Sequence, residues 1–312
     1  MKLNTSTGIL GELTKPNSKK TMLGLALLIT TMLAAAFAFT TVTRAIDVTM
    51  HVVRPADVRP ISEVATGPAG WYEEAVGNAN AEPTSTRAYN TAGSAEFTVG
   101  DSASYVELGL YKHTFASNRL ADLPSLSYAT WQQVDNTKAV SFQIGLDTDV
   151  TDTDTSWQGR MVFEPYLGNT DFYGNLITDG IWQTWLVNKP AANWWLTWSP
   201  SLTTKYGTNP CPQADPCTYS ELLGLYPDAG FNTGFGTPLI LKAGSGWASF
   251  NGFADAPAVG TSQVQEYWDF EPAAVTPTYP TTKEQCKNYG WQDFGSLFKN
   301  QGACVSYVAR EQ

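Results

Sequence analysis

Apolar and polar positions alternate with a period of two through much of residues 71–272, and long helical periodicity is missing there. The clearest case is 138–147, where Val140, Phe142, Ile144 and Leu146 alternate with Ser141, Gln143 and Gly145. Successive side chains of a strand point to opposite faces, so four apolar groups share one face here. Residues 105–111 repeat the pattern with Val106, Leu108 and Leu110. Residues 157–166 set Gly159, Met161 and Phe163 against Val162 and Glu164. Further strands are predicted at 95–99, 126–131, 181–187, 238–242 and 263–270, with Gly, Asn, Asp and Pro between them. About eight to twelve such strands predict an all-β chain folded as a two-sheet, jelly-roll-like sandwich.

The pattern changes at both flanks. Residues 22–42 carry no charged side chain and follow Lys15, Lys19 and Lys20. A basic start before an apolar run of this length reads as an export signal, either a cleaved signal peptide or an uncleaved membrane-anchoring helix within 1–45. Ala36-Phe37-Ala38 offers a small-x-small cleavage site. Residues 46–70, rich in Pro and Val, read as an extended stalk, and 71–272 as the sandwich. Residues 273–280 read as a linker, leaving 281–312 as a small two-cysteine module. In that module Thr281 and Glu284 suggest a capping box, with a second helix near 300–309. Inside the sandwich one short helix is expected where Thr218 and Glu221 form a capping box and Pro227 ends the helix.

Composition narrows the class. Of 312 residues 43% are apolar, 12% aromatic and only 15% charged, with a net charge of −10. After residue 45 there remain 14 basic against 28 acidic side chains. Such a surface repels phosphate polymers, so no nucleic-acid partner is expected. The four cysteines, Cys211, Cys217, Cys286 and Cys304, allow three pairings. In an exported chain disulfides are favoured, with local pairing of Cys211 to Cys217 and Cys286 to Cys304. The second staple would support a module of about 30 residues that has too little core of its own. With no CxxC and two histidines, a zinc site is not expected.

The terminal residues Thr282-Lys-Glu-Gln-Cys-Lys-Asn-Tyr-Gly-Trp-Gln-Asp-Phe and Phe298-Lys-Asn-Gln-Gly-Ala-Cys-Val-Ser-Tyr-Val resemble a two-cysteine signature of uncharacterised secreted bacterial proteins. The strings Trp157-Gln-Gly-Arg-Met-Val-Phe-Glu-Pro-Tyr and Tyr267-Trp-Asp-Phe-Glu-Pro resemble secreted bacterial domains. In general character they are similar to concanavalin-like (laminin-G-like) jelly rolls. The resemblance implies export, location at the cell surface or beyond, and a sandwich fold. It supplies no chemistry. The E-x-D-x-(x)-E strand of the glycosidase branch is not found.

Candidate chemistry follows from residue types. No G-x-S-x-G, P-loop or dinucleotide fingerprint occurs. Glu107 and Glu164 sit within predicted strands, and a pair of carboxylates is what glycoside hydrolysis requires; the rival reading pairs such a Glu with Arg160 or Lys242. Asp147, Asp149, Asp152 and Asp154 follow the best strand within eight residues and suggest a calcium loop, although the Gly and final Glu of an EF-hand are absent. Asp255 and Asp269 are separate calcium candidates. The tryptophans are the most distinctive feature, with six of 11 between 157 and 198. Trp194 and Trp195 cannot both face the core of one strand. Trp194 groups with Leu196 and Trp198, and Trp195 with Thr197. Trp185 and Trp195 are the candidates for a ring surface that packs on sugars. The expected partner is an extracellular carbohydrate or cell-wall polymer, with membrane contact only through the N-terminal segment. A structural surface protein and a glycoside hydrolase or lyase are the alternatives.

Overall fold

The computed structural model describes residues 47–115, 119–133, 137–232, 237–274, 280–288 and 290–311. The export segment expected within 1–45 and residues 275–279 of the expected linker lie outside the described residues. Two sheets form a sandwich. The first holds β1 (Asp47–Val53), β4 (Ala79–Thr84), β5 (Ser94–Val99), β7 (Ser125–Gln132), β10 (Gln183–Leu186), β15 (Phe250–Gly260) and β16 (Val264–Phe270). The second runs β12 (Cys217–Thr218), β11 (Asn193–Leu196), β9 (Arg160–Phe163), β8 (Ser141–Asp147), β14 (Leu239–Gly244), β6 (Tyr105–Tyr111), β3 (Gly70–Val76) and β2 (Arg59–Pro60), with β13 (Gly230–Phe231) also on β8. The all-β sandwich expected from the alternation is therefore the fold.

The core lies between the sheets. Tyr128 of β7 packs on Phe142 of β8 with ring centroids 5.2 Å apart. Trp185 of β10 meets Phe163 of β9 at 6.2 Å, and Phe270 of β16 meets Trp71 of β3 at 5.0 Å. The apolar stripe Phe142, Ile144, Leu146 is completely buried, as its period demands. β15 organises the first sheet. Its start pairs with β5 and its end with β16, and the register shifts between Asp255 and Ala258, where Ala256 has φ +49°. This bulge lets one strand change partners along one edge while β7 follows the other.

The segment expected as a stalk belongs to the sandwich. β1 pairs in parallel with β16 from Asp47 opposite Val264 to Val53 opposite Phe270, and β2 pairs in parallel with β3. A Pro- and Val-rich composition suits an edge strand as well as a stalk, because proline is tolerated where no ladder donor is needed. Both histidines meet there. His51 Nε2 and His113 Nε2 lie 3.0 and 3.2 Å from Glu266 Oε2, and His51 stacks on Trp268.

Helices are short. α1 (Pro200–Tyr206) is capped by Ser199, whose hydroxyl accepts from Leu202 N. α2 (Tyr219–Leu225) starts at the expected Thr218–Glu221 capping box. α3 (Gln301–Glu311) begins where Asn300 Oδ1 accepts from Ala303 N. Before it, two 3-10 segments span Lys283–Cys286 and Gly290–Leu297. The first uses Thr282 and Gln285 as its box, one residue later than Thr281 and Glu284, because the Gln285 amide oxygen accepts from both Thr281 N and Thr282 N. Both local disulfides are formed, Cys211–Cys217 and Cys286–Cys304. The second lies in a small hydrophobic cluster of its own with Phe298 and Val308. Two disulfides fit an oxidising, extracellular setting. Among the described residues no helix is long and apolar enough to cross a membrane.

Candidate functional site

The inward stripe of the second sheet dictates what faces outward. Glu107 stands opposite Lys242, Lys242 opposite Ser141, Gln143 opposite Val162, and Val162 opposite Trp195. Residues directly opposite one another share a face. Burying Leu108, Leu241, Phe142, Phe163 and Trp194 therefore sends a mostly polar row to the outer surface. That row floors a cleft of about 370 Å³. Gln143, Arg160, Val162, Thr197 and Lys242 line it together with Trp157, Tyr166, Trp195 and Trp247, and Glu164 and Gln213 complete the lining.

One side of the base is an ion cluster. Glu107 Oε1 accepts from Arg160 Nη1 at 2.8 Å and Lys242 Nζ at 2.6 Å, and Arg160 also reaches Gln143 Oε1 at 3.3 Å. Burial would raise the Glu107 pKa, but the two cations outweigh it and hold the carboxyl below its ordinary range. Gly159 makes this placement of Arg160 feasible. Its φ is +117°, and a Cβ there would lie 2.1 Å from the Thr197 carbonyl oxygen. Arg160 N then donates to Thr197 Oγ1 at 2.7 Å.

The other side is a carboxylate held by neutral donors. Glu164 Oε2 accepts from Trp195 Nε1 at 2.8 Å and from Gln213 Nε2 at 2.9 Å. Gln213 Nε2 also donates to the Tyr166 phenol oxygen at 3.2 Å, and burial together with the nearby Glu164 carboxylate pushes the phenol pKa up. Gln213 belongs to the Cys211–Cys217 loop. Cys217 stands opposite Trp194, and Cys211 O accepts from Leu196 N at 2.8 Å, so both ends of the loop are fastened to β11.

Three expectations meet here: Glu107, Glu164 and Trp195 all belong to this face. Trp185 does not. It is fully buried, opposite Tyr128 in the β7–β10 pair, and donates from Nε1 to Thr130 Oγ1 at 2.8 Å. Its face was decided by that pairing, so it is a core residue and no ring platform. The acidic run 147–154 forms a series of turns. Asp147, Asp149, Asp152 and Asp154 each accept from the backbone N–H two residues on, and Asp152 also binds Lys205 at 3.1 Å. Among the described residues no three His, Cys, Asp or Glu side chains form a metal-ligand group. Asp255 accepts from Phe270 N and Asp269 from Thr91 Oγ1, both on the first sheet and away from the cleft. Sequence reasoning missed Gln143, Tyr166, Gln213 and Trp247 as site residues. Gln143 was legible as an outward position of the best strand, whereas a loop residue such as Gln213 gives no such signal.

A shallower groove of about 270 Å³ lies on the first sheet between Tyr89 and Tyr267. The small residues Ser127, Ala129, Ala256 and Ala258 line it, and among the described residues Asp269 is the one charged side chain that does.

No protein-family model matches the chain, and no curated protein matches it. Among solved structures it is similar to the family 11 carbohydrate-binding module of the cellulosomal cellulase Lic26A-Cel5E of Clostridium thermocellum. That likeness has 10% identity and a TM-score of 0.32, over 62% of this chain and 88% of that one. A β-1,2-glucanase from Parabacteroides distasonis gives 10% identity and a TM-score of 0.29, over 67% of this chain and 24% of that one. The C-terminal family 22 carbohydrate-binding module of Clostridium thermocellum Xyn10B gives 14% identity and a TM-score of 0.24, over 61% and 85%. At such low identities and scores these likenesses carry no part of the functional argument.

Proposed function

We propose that the outer face of the second sheet binds carbohydrate without cleaving it. The carrying observation is the cleft itself, lined by aromatic side chains and hydrogen-bonding groups together. A sugar ring offers apolar C–H faces and a polar hydroxyl rim. Trp157, which is 42% exposed, and Trp195 suit the first, while Gln143, Gln213 and Lys242 suit the second. The cleft volume falls in the usual range of ligand pockets. Hydrolysis would need one carboxyl kept protonated as an acid. Glu107 is held in the opposite state by Arg160 and Lys242. The two disulfides favour an extracellular target, and we propose a cell-surface or cell-wall glycan, with residues 1–45 directing export.

The test is titration of the purified protein with a panel of oligo- and polysaccharides, followed by tryptophan fluorescence. Saturable binding that weakens in Trp157→Ala and Trp195→Ala is expected, with no new reducing ends released. Absence of binding across the panel would sink the proposal, and release of reducing ends would replace it with a hydrolase. The same titration in chelator is expected to be unchanged, because the 147–154 carboxylates are engaged in turn bonds. Weaker binding in chelator would instead give that loop a calcium ion.

A second reading, assembly with other copies, has one observation in its favour. Phe172, Tyr173, Leu176 and Ile181 are exposed on one loop, which Asp171 organises by accepting from Tyr173 N, Asn175 N and Gln183 Nε2. Light scattering that shows a concentration-dependent oligomer, lost in Tyr173→Ser with Phe172→Ser, would support it.

A further inference from the structure

We infer that the cleft selects glycans carrying a protonated amino group and seats that group against Glu164. The inference rests on the carbohydrate reading above and adds a substrate class to it. The argument begins with charge pairing. A buried carboxylate ordinarily has a cation beside it. Glu107 follows the rule with two. Glu164 is equally buried, yet among the described residues no Lys, Arg or His forms an ion pair with it. Its donors among the described residues, the Trp195 indole and the Gln213 amide, are both neutral. A carboxylate offers about four acceptor positions, so capacity remains for a further donor.

The surroundings match a cation as well. Trp195, Tyr166 and Trp247 line the cleft with Glu164, and the Tyr166 and Trp247 rings meet edge to face at 6.5 Å. Aromatic faces around a negative charge attract ammonium groups through the ring quadrupole. The cations already in the cleft stand apart from this place. Arg160 and Glu164 are separated by four residues of extended chain, about 13 Å. Arg160 and Lys242 share Glu107, and Glu74, opposite Glu107, adds a second carboxylate that acts on Arg160, so both cations at that end are already matched. An amine therefore has one favourable seat, the Glu164 end. The Arg160 end is left to hydroxyl groups of the neighbouring sugar.

The experiment compares three β-1,4-linked oligosaccharides of one length, built from glucosamine, N-acetylglucosamine and glucose. Each is titrated calorimetrically into the purified protein at pH 6, where the amine is charged. The glucosamine oligomer is expected to bind about tenfold more tightly than either neutral one. The preference is expected to shrink as salt rises, and Glu164→Gln is expected to bring the ratio close to one. Equal or tighter binding of the neutral oligomers overturns the inference, as does a preference that survives Glu164→Gln. The wild-type comparison alone can still overturn the inference if the variant fails to fold. Binding of neutral glycans without an amine preference overturns this inference alone. Absence of binding by every glycan, charged or neutral, removes the carbohydrate reading and this one with it.

Discussion

Trp194 and Trp195 are neighbours in sequence and lie on opposite sides of one sheet. Trp194 is buried in the core and donates to the Val187 carbonyl at 2.9 Å, while Trp195 lines the cleft and donates to Glu164 at 2.8 Å. Their truncations should separate stability from binding. Trp194→Ala is expected to cost about 3–5 kcal/mol in a denaturant melt. Trp195→Ala is expected to cost much less and to weaken glycan binding at least tenfold, on the order of one buried stacking contact. Equal losses of stability in the two variants would contradict this division.

Glu107 joins two cations that would otherwise repel each other on a half-covered surface. Glu107→Gln is expected to destabilise the fold by about 3 kcal/mol, because it leaves two charges without their partner. The pH dependence follows from the lowered pKa. The Glu107 contribution is complete above the ordinary glutamate value and is lost as pH falls through the lower folded value. Thermal melts from pH 7 to 3 should therefore show an acid-side loss in the wild type that is smaller in Glu107→Gln.

Asp255 works in the other direction. It is fully buried at the β15 bulge, its Oδ2 has no partner among the described residues, and burial, with Asp269 and Glu271 nearby, raises its pKa to about 7. A carboxyl with a raised folded pKa favours the folded state while protonated. That stability is complete below the ordinary aspartate value and is lost as pH rises through about 7. The range amounts to roughly 4 kcal/mol at most. Asp255→Asn is expected to flatten the stability profile between pH 4 and 7. An unchanged slope in equilibrium unfolding would show that Asp255 does not titrate there.

The two disulfides should have separable effects. Replacing Cys211 and Cys217 by Ser frees the loop that carries Gln213, so glycan affinity is expected to fall several-fold while the sandwich stays folded. Replacing Cys286 and Cys304 by Ser removes the staple of the small C-terminal cluster, worth about 3 kcal/mol. That variant is expected to retain full binding and to lose amide protection only in 283–311. Hydrogen exchange with a parallel glycan titration checks both.

The fold was legible wherever burial on one face imposes a period of two. Phe142, Ile144 and Leu146 showed it, and so did the Thr218–Glu221 cap, which is a local bond within four residues. Long-range pairing was not legible. Alternation says that Trp185 faces opposite to Leu186, and only the pairing with Tyr128 says which side is the core. β1 looked like a stalk because its partner, β16, lies at the far end of the domain. In the site, Glu164 and Trp195 stood out as outward positions of strands. Their junction did not, since it depends on the register of β9 with β11 and on a loop fastened by a disulfide.

The parallel pairing of β1 with β16 also constrains the order of assembly. His51 and the Glu266 it bonds are 215 residues apart. A chain emerging from the ribosome or a translocation pore N-terminus first must hold β1 unpaired until nearly all the rest has appeared. Val48 and Met50 stay exposed even in the finished sheet. Closure of this strand is thus a late, slow event of high contact order. A chain cut short before residue 264 keeps an open edge where the last strand should lie, and such edges recruit other chains.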